Sequence, residues 1–96
     1  MRRHRCTKIL ATLGPATSDP DVIERAYEAG ADVFRFNLSH GTHEEHRKRL
    51  DIVRNLERKY KRPVGIVWDL QGPKLRIGEF ENGSVALSEG QAFRLD

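Results

Sequence analysis

Strand signals and helix signals alternate along the first two thirds of this chain. Apolar, partly β-branched runs at 7–13, 32–39 and 64–68 are typical of strands. Between them, apolar residues recur every three to four positions, as in helices that cover one side of a sheet. This order, with a repeat of roughly thirty residues, predicts parallel strands joined by helical crossovers. Barrels of eight strands and open doubly wound sheets are both built in this way.

Capping signals mark the ends of both predicted helices. Asp19 can cap the first helix, with Pro20 in its first position and Gly30 where a C-terminal glycine belongs. Thr42, with Glu45 three residues later, predicts a capping box for a second, longer helix that ends near position 60. The connections between strands and helices should therefore be short.

The pattern changes after Asp69. Short alternating runs at 74–80 and 84–95, separated by Glu81-Asn82-Gly83, predict an antiparallel hairpin. No further helix signal returns the chain to the parallel sheet. We therefore expect a β-rich module to begin after the third strand, and we expect the chain to be cut inside that module.

The net charge of +3 is unevenly placed. Four of the 17 basic residues stand in the first eight positions, so the remainder is close to neutral. They are Arg2, Arg3, Arg5 and Lys8. We expect this basic arm to be solvated, because no aromatic residue stands between its cations as in segments that bind nucleic acid. The alternative is a small nucleic-acid binder built on the arm, with an affinity that falls steeply with salt.

The single cysteine, Cys6, excludes an internal disulfide and is expected as a buried or half-buried thiol in a reducing compartment. No apolar stretch has the length of a membrane span, and no apolar segment follows the basic start as in a secretory signal. We therefore expect a cytoplasmic location, with neither a membrane nor a nucleic acid as partner.

Polar residues stand near the carboxyl end of each predicted strand. Because these ends meet at one edge of a parallel sheet, the residues should lie together. They are Thr12 and Gly14 in the first strand and its turn, Arg35, Asn37, Ser39 and His40 in and after the second, and Asp69 after the third. This clustering predicts a functional edge.

Alternation divides the second strand into two faces. Phe34, Phe36 and Leu38 lie on one face, and Arg35 lies on the other with Asn37 and Ser39. An arginine in a strand needs an anion, and two interpretations remain open. It either pairs with the carboxylate of Asp69 or Asp32, or it binds a phosphate or carboxylate ligand.

Asn37, Ser39 and Asp69 offer oxygen atoms that suit a monovalent or divalent cation. Hydrogen bonding among these residues is an equal alternative. Lys74 and Arg76 follow in a turn near the same edge, where a pair of solvated cations is the simpler interpretation.

Histidines recur at positions 40, 43 and 46, but they do not predict zinc. His40 precedes the helix, and no cysteine or third well-placed ligand joins the other two. We expect His43 and His46 on the helix surface, and His40 at the functional edge. Trp68 should pack between the sheet and the helices.

Three ordered motifs resemble the amino-terminal part of pyruvate kinase. They occupy 7–9 with 12–16, 30–33 with 35–41, and 69–78. The resemblance extends from position 7 to position 96. It implies the first three strand–helix units of a TIM (β/α)8 barrel, followed by the start of an inserted antiparallel β lid. Residues 1–70 would belong to the barrel, and residues 71–96 would begin the lid.

The resemblance also implies an activity. Pyruvate kinases transfer a phosphoryl group from phosphoenolpyruvate to ADP, giving pyruvate and ATP, with a divalent metal and usually potassium. Arg35 would be the catalytic residue that contacts the transferred phosphate. The nucleotide would be bordered by Asn37, Leu38, Ser39, His40 and Arg76. The potassium shell would correspond to Asn37, Ser39, Asp69 and the carbonyl of Leu70.

Position 74 departs from the pattern of potassium-dependent pyruvate kinases. Those proteins resemble this turn but carry glutamate at this position, and commonly threonine where this chain has Leu70. The ammonium of Lys74 would supply the missing positive charge itself. The chain therefore resembles the potassium-independent type, with K⁺ binding as the alternative.

In this family the catalytic lysine and the ligands of Mg²⁺ or Mn²⁺ lie on later barrel strands. We therefore expect the isolated chain to be inactive and poorly stable, because three strands leave an open barrel edge. The full-length enzyme would be a cytoplasmic homotetramer. The alternative function is a truncated, non-catalytic module that binds a phosphorylated metabolite or a partner protein, and the coding sequence beyond Asp96 would separate the two.

Overall fold

The computed structural model describes residues 3–94. Three strands form one parallel sheet: β1 (Leu10–Leu13), β2 (Val33–Asn37) and β3 (Gly65–Asp69), with β2 in the centre. Helix α1 (Pro20–Ala29) joins β1 to β2, and helix α2 (His43–Tyr60) joins β2 to β3. A 3₁₀ turn at Pro15–Thr17, which was not predicted, follows β1. Arg2 and the predicted strand end at Leu95 lie outside the described residues.

Both helices begin at their predicted caps. The Asp19 carboxylate accepts from the Asp21 N–H at 2.8 Å, and α1 ends at Gly30, whose φ of 134° suits glycine. At the start of α2, the Thr42 hydroxyl accepts from the Glu45 N–H at 3.2 Å, and Glu45 accepts from the Thr42 N–H at 2.7 Å. The predicted crossovers and parallel strands are thus confirmed.

The first two predicted strands are longer than the observed ones, whereas the third, predicted at 64–68, is observed at 65–69. β2 stops at Asn37 because the Asn37 side-chain oxygen accepts from the Ser39 N–H at 3.1 Å and turns the chain. Leu38 and Ser39 therefore lie in a turn and not in the strand. β1 likewise begins at Leu10, three residues later than predicted.

The two faces of the sheet differ in burial, as the alternation in β2 predicts. Phe34 and Phe36 are fully buried under both helices, where burial of each ring contributes roughly 1.5–3 kcal/mol. The helix residues that complete this core are Ile23, Tyr27, Val53 and Leu56. The opposite face carries Arg35 together with Leu10 and Val67, which are about half exposed.

The chain from residue 70 to residue 94 contains turns but no strand, so the predicted strands at 74–80 and 84–94 are wrong. The turn at 81–83 is confirmed, since the Gly83 N–H donates to the Phe80 carbonyl at 2.9 Å. A strand needs a partner for its backbone hydrogen bonds, and this segment pairs with none among the described residues. Its large apolar side chains remain exposed, namely Leu70, Leu75, Ile77, Val85, Leu87 and Phe93.

The expectation of three strand–helix units is met in part. Residues 3–94 contain three strands but only two α-helices, because no helix follows β3 in that range. The regular structure ends at Asp69, next to the predicted domain boundary at residue 70. The assignment of residues 71–96 to a lid domain stays a prediction.

Two residues of the basic arm, Arg3 and Arg5, are docked on the protein, which corrects the prediction for them, whereas Lys8 is exposed as expected. Arg3 has a side-chain exposure of 9%, and its guanidinium donates to the carbonyls of Tyr27 and Ala31 in and after the last turn of α1. Arg5 pairs with Asp32 at 2.9 Å. Cys6 is exposed, so the expected burial of its thiol is wrong. Within residues 3–94 no helix combines the length and apolarity that crossing a bilayer requires.

Candidate functional site

Arg35 links the carboxyl ends of all three strands. Its Nη1 donates to the Thr12 hydroxyl of β1 at 3.3 Å, and its Nη2 pairs with the Asp69 carboxylate of β3. The predicted partner Asp69 is therefore confirmed, whereas Asp32 pairs with Arg3 and Arg5.

The contact between Arg35 and Asp69 is partly solvated, with side-chain exposures of 30% and 45%. Ion pairs at such exposure contribute about 0–1 kcal/mol. A guanidinium has five N–H donors, and the contacts with Thr12 and Asp69 use only some of them. Arg35 can therefore bind an additional anion or exchange Asp69 for one at low cost.

The oxygen atoms predicted for a cation are bound to protein donors. Asn37 accepts from the Ser39 N–H at 3.1 Å, so the interpretation as mutual hydrogen bonding holds for this pair. The Ser39 hydroxyl accepts from Lys74 Nζ at 3.1 Å. The Leu38 N–H donates to the Asp69 carbonyl at 2.9 Å, which holds the turn against β3.

Two protein cations lie among the oxygen atoms predicted for potassium. Lys74 contacts Ser39, and the guanidinium of Arg35 occupies the Asp69 carboxylate. A monovalent cation bound to the same oxygen atoms would be repelled by the charges of Lys74 and Arg35. Leu70, the fourth predicted ligand, is exposed just after β3.

The predicted nucleotide residues are divided among three concave surfaces. A cavity of about 360 Å³ lies between the loops after β1 and β2, and its lining includes Gly14, Pro15, Asn37, His40 and Arg49. A shallower depression of about 300 Å³ is formed by Ser39, Gln71, Gly72, Lys74 and Arg76. Leu38 lines a third depression of about 240 Å³. Asn37 and His40 thus lie together, apart from Ser39 and Arg76.

Comparison with known proteins decides the family. A family model described as the barrel domain of pyruvate kinase matches residues 4–96. This chain belongs to the pyruvate kinase family. It is 53% identical over 96 residues to the pyruvate kinase of Methylorubrum extorquens, covering 100% of this chain and 20% of that protein. It is 50% identical over 95 residues to pyruvate kinase II of Salmonella typhimurium, covering 99% and 20%.

A solved pyruvate kinase from Cryptosporidium parvum has the same fold in this region. It superposes with a TM-score of 0.71 at 35% identity, over 79% of this chain and 16% of that one. The parallel strands and covering helices are thus part of a pyruvate kinase barrel domain, consistent with the start of a TIM barrel. The chain spans about a fifth of the length of the curated pyruvate kinases it matches.

Two buried polar residues in this pyruvate kinase segment were not predicted as site residues. His46, expected on the helix surface, is 5% exposed, and its Nε2 donates to the His40 carbonyl at 2.7 Å. Arg49 is 7% exposed, and its Nε donates to the Ser18 hydroxyl at 2.9 Å. Both lie on the helical stripe that continues to Val53, and that periodicity could have placed them inside.

The predicted positions of His43 and His40 are confirmed, whereas the prediction for Trp68 is met only in part. His43 is exposed on α2, and His40 is exposed at the functional edge and lines the cavity. Trp68 packs on Phe36 with ring centroids 4.7 Å apart, although much of its indole remains exposed. In the described range, no group of three His, Cys, Asp or Glu side chains is arranged to hold a metal ion.

Glu45 contributes a negative charge at the cavity wall. The Thr42 backbone N–H, hydrogen-bonded to its carboxylate, holds the pKa of Glu45 below its usual range. The Thr42 hydroxyl and the positive charge of Arg49 lower this pKa further, while burial opposes them. Glu45 is therefore ionised at neutral pH and balances part of the charge of Arg49.

Proposed function

We propose that the intact protein, meaning the complete polypeptide that contains residues 1–96, transfers a phosphoryl group from phosphoenolpyruvate to ADP. One observation carries the proposal. Arg35 stands at the carboxyl ends of three parallel strands, held by Thr12 and Asp69, in a chain of the pyruvate kinase family. Barrel enzymes have their active sites at this end of the strands.

We assign the transferred phosphate to Arg35. Phosphoryl transfer passes through a loose transition state with charge spread over the equatorial oxygens, so fixed donors and positive charge supply most of the catalysis. A planar guanidinium presents paired donors to such oxygens. The weak, partly solvated contact with Asp69 supports this role, because the guanidinium can engage a phosphate without a large loss of free energy.

We propose that Lys74 takes the place of the monovalent cation. Its contact with Ser39 supports this assignment, as does the occupation of Asp69 by Arg35. Asn37, Ser39, Asp69 and the Leu70 carbonyl would then orient the loop and the lysine without coordinating potassium. The protein would belong to the potassium-independent type.

We assign the nucleotide to the same edge, bordered by Asn37, Leu38, Ser39, His40 and Arg76. The position of Asn37 and His40 in one cavity supports part of this border. A bound Mg²⁺ or Mn²⁺ would neutralise charge on the phosphoryl oxygens. Its ligands and the catalytic lysine are proposed to lie in the remainder of the barrel, in a cytoplasmic homotetramer with a β-rich lid.

The test is an assay of the intact protein with phosphoenolpyruvate, ADP and Mg²⁺, in which pyruvate and ATP are both quantified. Equal formation of both products is expected. Formation of pyruvate without ATP would indicate hydrolysis and would contradict the proposal. Saturable binding of phosphoenolpyruvate with no product would instead support the non-catalytic module that binds a phosphorylated metabolite.

A further inference from the structure

Helix α2 places two polar side chains on the face that packs against the rest of the protein. His46 and Arg49 are both nearly inaccessible, although they are among the most polar residues of the helix. Three residues apart, they are neighbours on the helix surface. Burying such groups costs free energy unless each gains a hydrogen bond. Each of the two side chains forms a hydrogen bond with a different loop at the strand ends.

His46 holds the loop after β2. Because a carbonyl oxygen can only accept, the 2.7 Å contact with the His40 carbonyl requires the proton on Nε2. The other ring nitrogen, Nδ1, is buried with no hydrogen-bond partner among the described residues. The imidazole ring also packs against the Phe36 ring in a T-shaped arrangement, with centroids 6.3 Å apart. The backbone at His40, one wall of the 360 Å³ cavity, is thus tied to the first turns of α2.

Arg49 holds the loop after β1. Its Nε donates to the Ser18 hydroxyl at 2.9 Å, and that hydroxyl donates to the Gly14 carbonyl at 2.8 Å. Gly14 and Pro15 form the opposite wall of the same cavity. Within residues 3–94, no carboxylate lies within ion-pair distance of Arg49. Glu45 balances part of the charge of Arg49 from a greater distance, and the hydrogen-bonded anchor of Arg49 is the loop.

We propose that His46 and Arg49 are positioning residues that set the separation of these two loops and thereby the fit of the nucleotide between them. This inference rests on the proposed function, which assigns the nucleotide to the border that includes Asn37 and His40. Arg35 does not line the cavity and contacts its lining only through the Thr12 hydroxyl, so binding of the phosphate of phosphoenolpyruvate should depend less on the loop separation than binding of the nucleotide does. The cavity has a volume suited to a small organic ligand.

The first experiment compares Arg49→Met with Arg47→Met in the intact protein. Arg47 is exposed on the same helix, so its variant controls for loss of a positive charge. For Arg49→Met we expect the KM for ADP to rise roughly tenfold, the size of one charge-assisted hydrogen bond, with kcat and the KM for phosphoenolpyruvate nearly unchanged. Arg47→Met should leave all three parameters as they are.

A smaller substitution distinguishes a loss of loop positioning from misfolding. Ser18→Ala removes only the hydroxyl that joins Arg49 to Gly14. It should raise the KM for ADP in the same direction as Arg49→Met. The KM for ADP of the double variant should be no higher than that of Arg49→Met alone, because the two substitutions break the same chain of hydrogen bonds. Fully additive effects would overturn the assignment.

The second experiment concerns His46. The side-chain amide of glutamine can reach about as far as Nε2 and can donate to the His40 carbonyl, whereas leucine has a similar bulk and no donor. His46→Gln should therefore retain the KM for ADP, and His46→Leu should raise it. Equal behaviour of the two variants would contradict a positioning role for this hydrogen bond.

A readout independent of turnover distinguishes this inference from the proposed function. Amide hydrogen exchange at residues 14–18 should accelerate in Arg49→Met, and exchange at 40–41 should accelerate in His46→Leu. If the unmodified protein forms no pyruvate, the proposed function fails, yet the exchange data still test the positioning role. Unchanged exchange, or an equal rise in the KM values for both substrates, would overturn it.

Discussion

Lys74 donates a hydrogen bond from Nζ to the hydroxyl of Ser39 at 3.1 Å, joining the segment after β3 to the turn after β2. The ammonium thereby stands at the same strand ends as the pair formed by Arg35 and Asp69. Two protein cations thus share a region with one strand-end carboxylate. This charge balance determines how the site should respond to salts.

We predict that activity is independent of potassium. Replacing potassium chloride by tetramethylammonium chloride at constant ionic strength should leave the rate of the intact protein nearly unchanged, because Lys74 supplies the charge. In Lys74→Glu the rate without potassium should fall roughly hundredfold and should recover when potassium is added. Lys48→Glu, at an exposed position on α2, is the control. A strong requirement of the unmodified protein for potassium would refute the assignment.

Arg35 offers a sharper test of phosphate binding. Arg35→Lys keeps the positive charge but loses the planar fork of donors, so kcat should fall about a hundredfold or more. Arg25→Lys, an equivalent change at an exposed position on α1, should have no effect. The comparison is made by steady-state kinetics with phosphoenolpyruvate and ADP. Similar kcat values for the two variants would argue against contact between Arg35 and the transferred group.

Asp32 should make the stability of the protein depend on pH in the acidic range. The Ile9 backbone N–H at 2.9 Å holds the pKa of Asp32 below its usual range, and Arg5 lowers it further against the opposing effect of burial. This stabilisation is complete above the pKa of an unfolded aspartate, about 3.9, and is lost as the pH falls through the lower folded pKa.

Asp32→Asn should therefore lower the thermal midpoint at pH 7, and the difference from the unmodified protein should narrow below about pH 4. Thermal unfolding across pH values checks this expectation. Asp51→Asn, at an exposed position on α2, should show no such narrowing. A constant difference across the pH range would mean that the charge of Asp32 is not the stabilising feature.

The capping box of α2 should contribute measurably to stability. Thr42→Ala removes the hydroxyl that accepts from the Glu45 N–H and should cost about 1 kcal/mol in the free energy of unfolding, whereas Thr42→Ser should retain most of it. Urea unfolding of the intact protein measures both, with Thr7→Ala as an exposed control that caps no helix. Equal stabilities of the alanine and serine variants at position 42 would contradict the role of the hydroxyl.

Features with local causes were predictable from the sequence. The caps at Asp19 and Thr42 are satisfied within three residues, so their signals survive in any tertiary context. One contact between distant residues, that of Arg35 with Asp69, also follows from the pattern. Arg35 pairs in register with Val67, and alternation puts Asp69 on the same face of the neighbouring strand.

Features with distant causes were missed. Arg3 docks on carbonyls more than twenty residues away, and nothing near Arg3 in the sequence marks them. The alternation at 74–80 indicates that one face of this segment is apolar, but it does not indicate which strand would pair with it. In the described chain the segment pairs with no strand. The helical stripe could have placed His46 inside, but its hydrogen-bond partner is a backbone carbonyl, that of His40, which no side-chain pattern marks.

The docking of Arg3 and Arg5 has a practical consequence for handling the protein. Arg3 and Arg5 bind the start of the described chain to the last turn of α1 and to Asp32, which directly precedes β2. Lys74 lies near the other end of β2, where it contacts Ser39. A fluorophore or affinity tag attached ahead of Arg3 would leave the region around Lys74 clear for immobilised assays. A cleavage site that removed Arg3 and Arg5 with the tag would release the carbonyls they cap and loosen the end of α1.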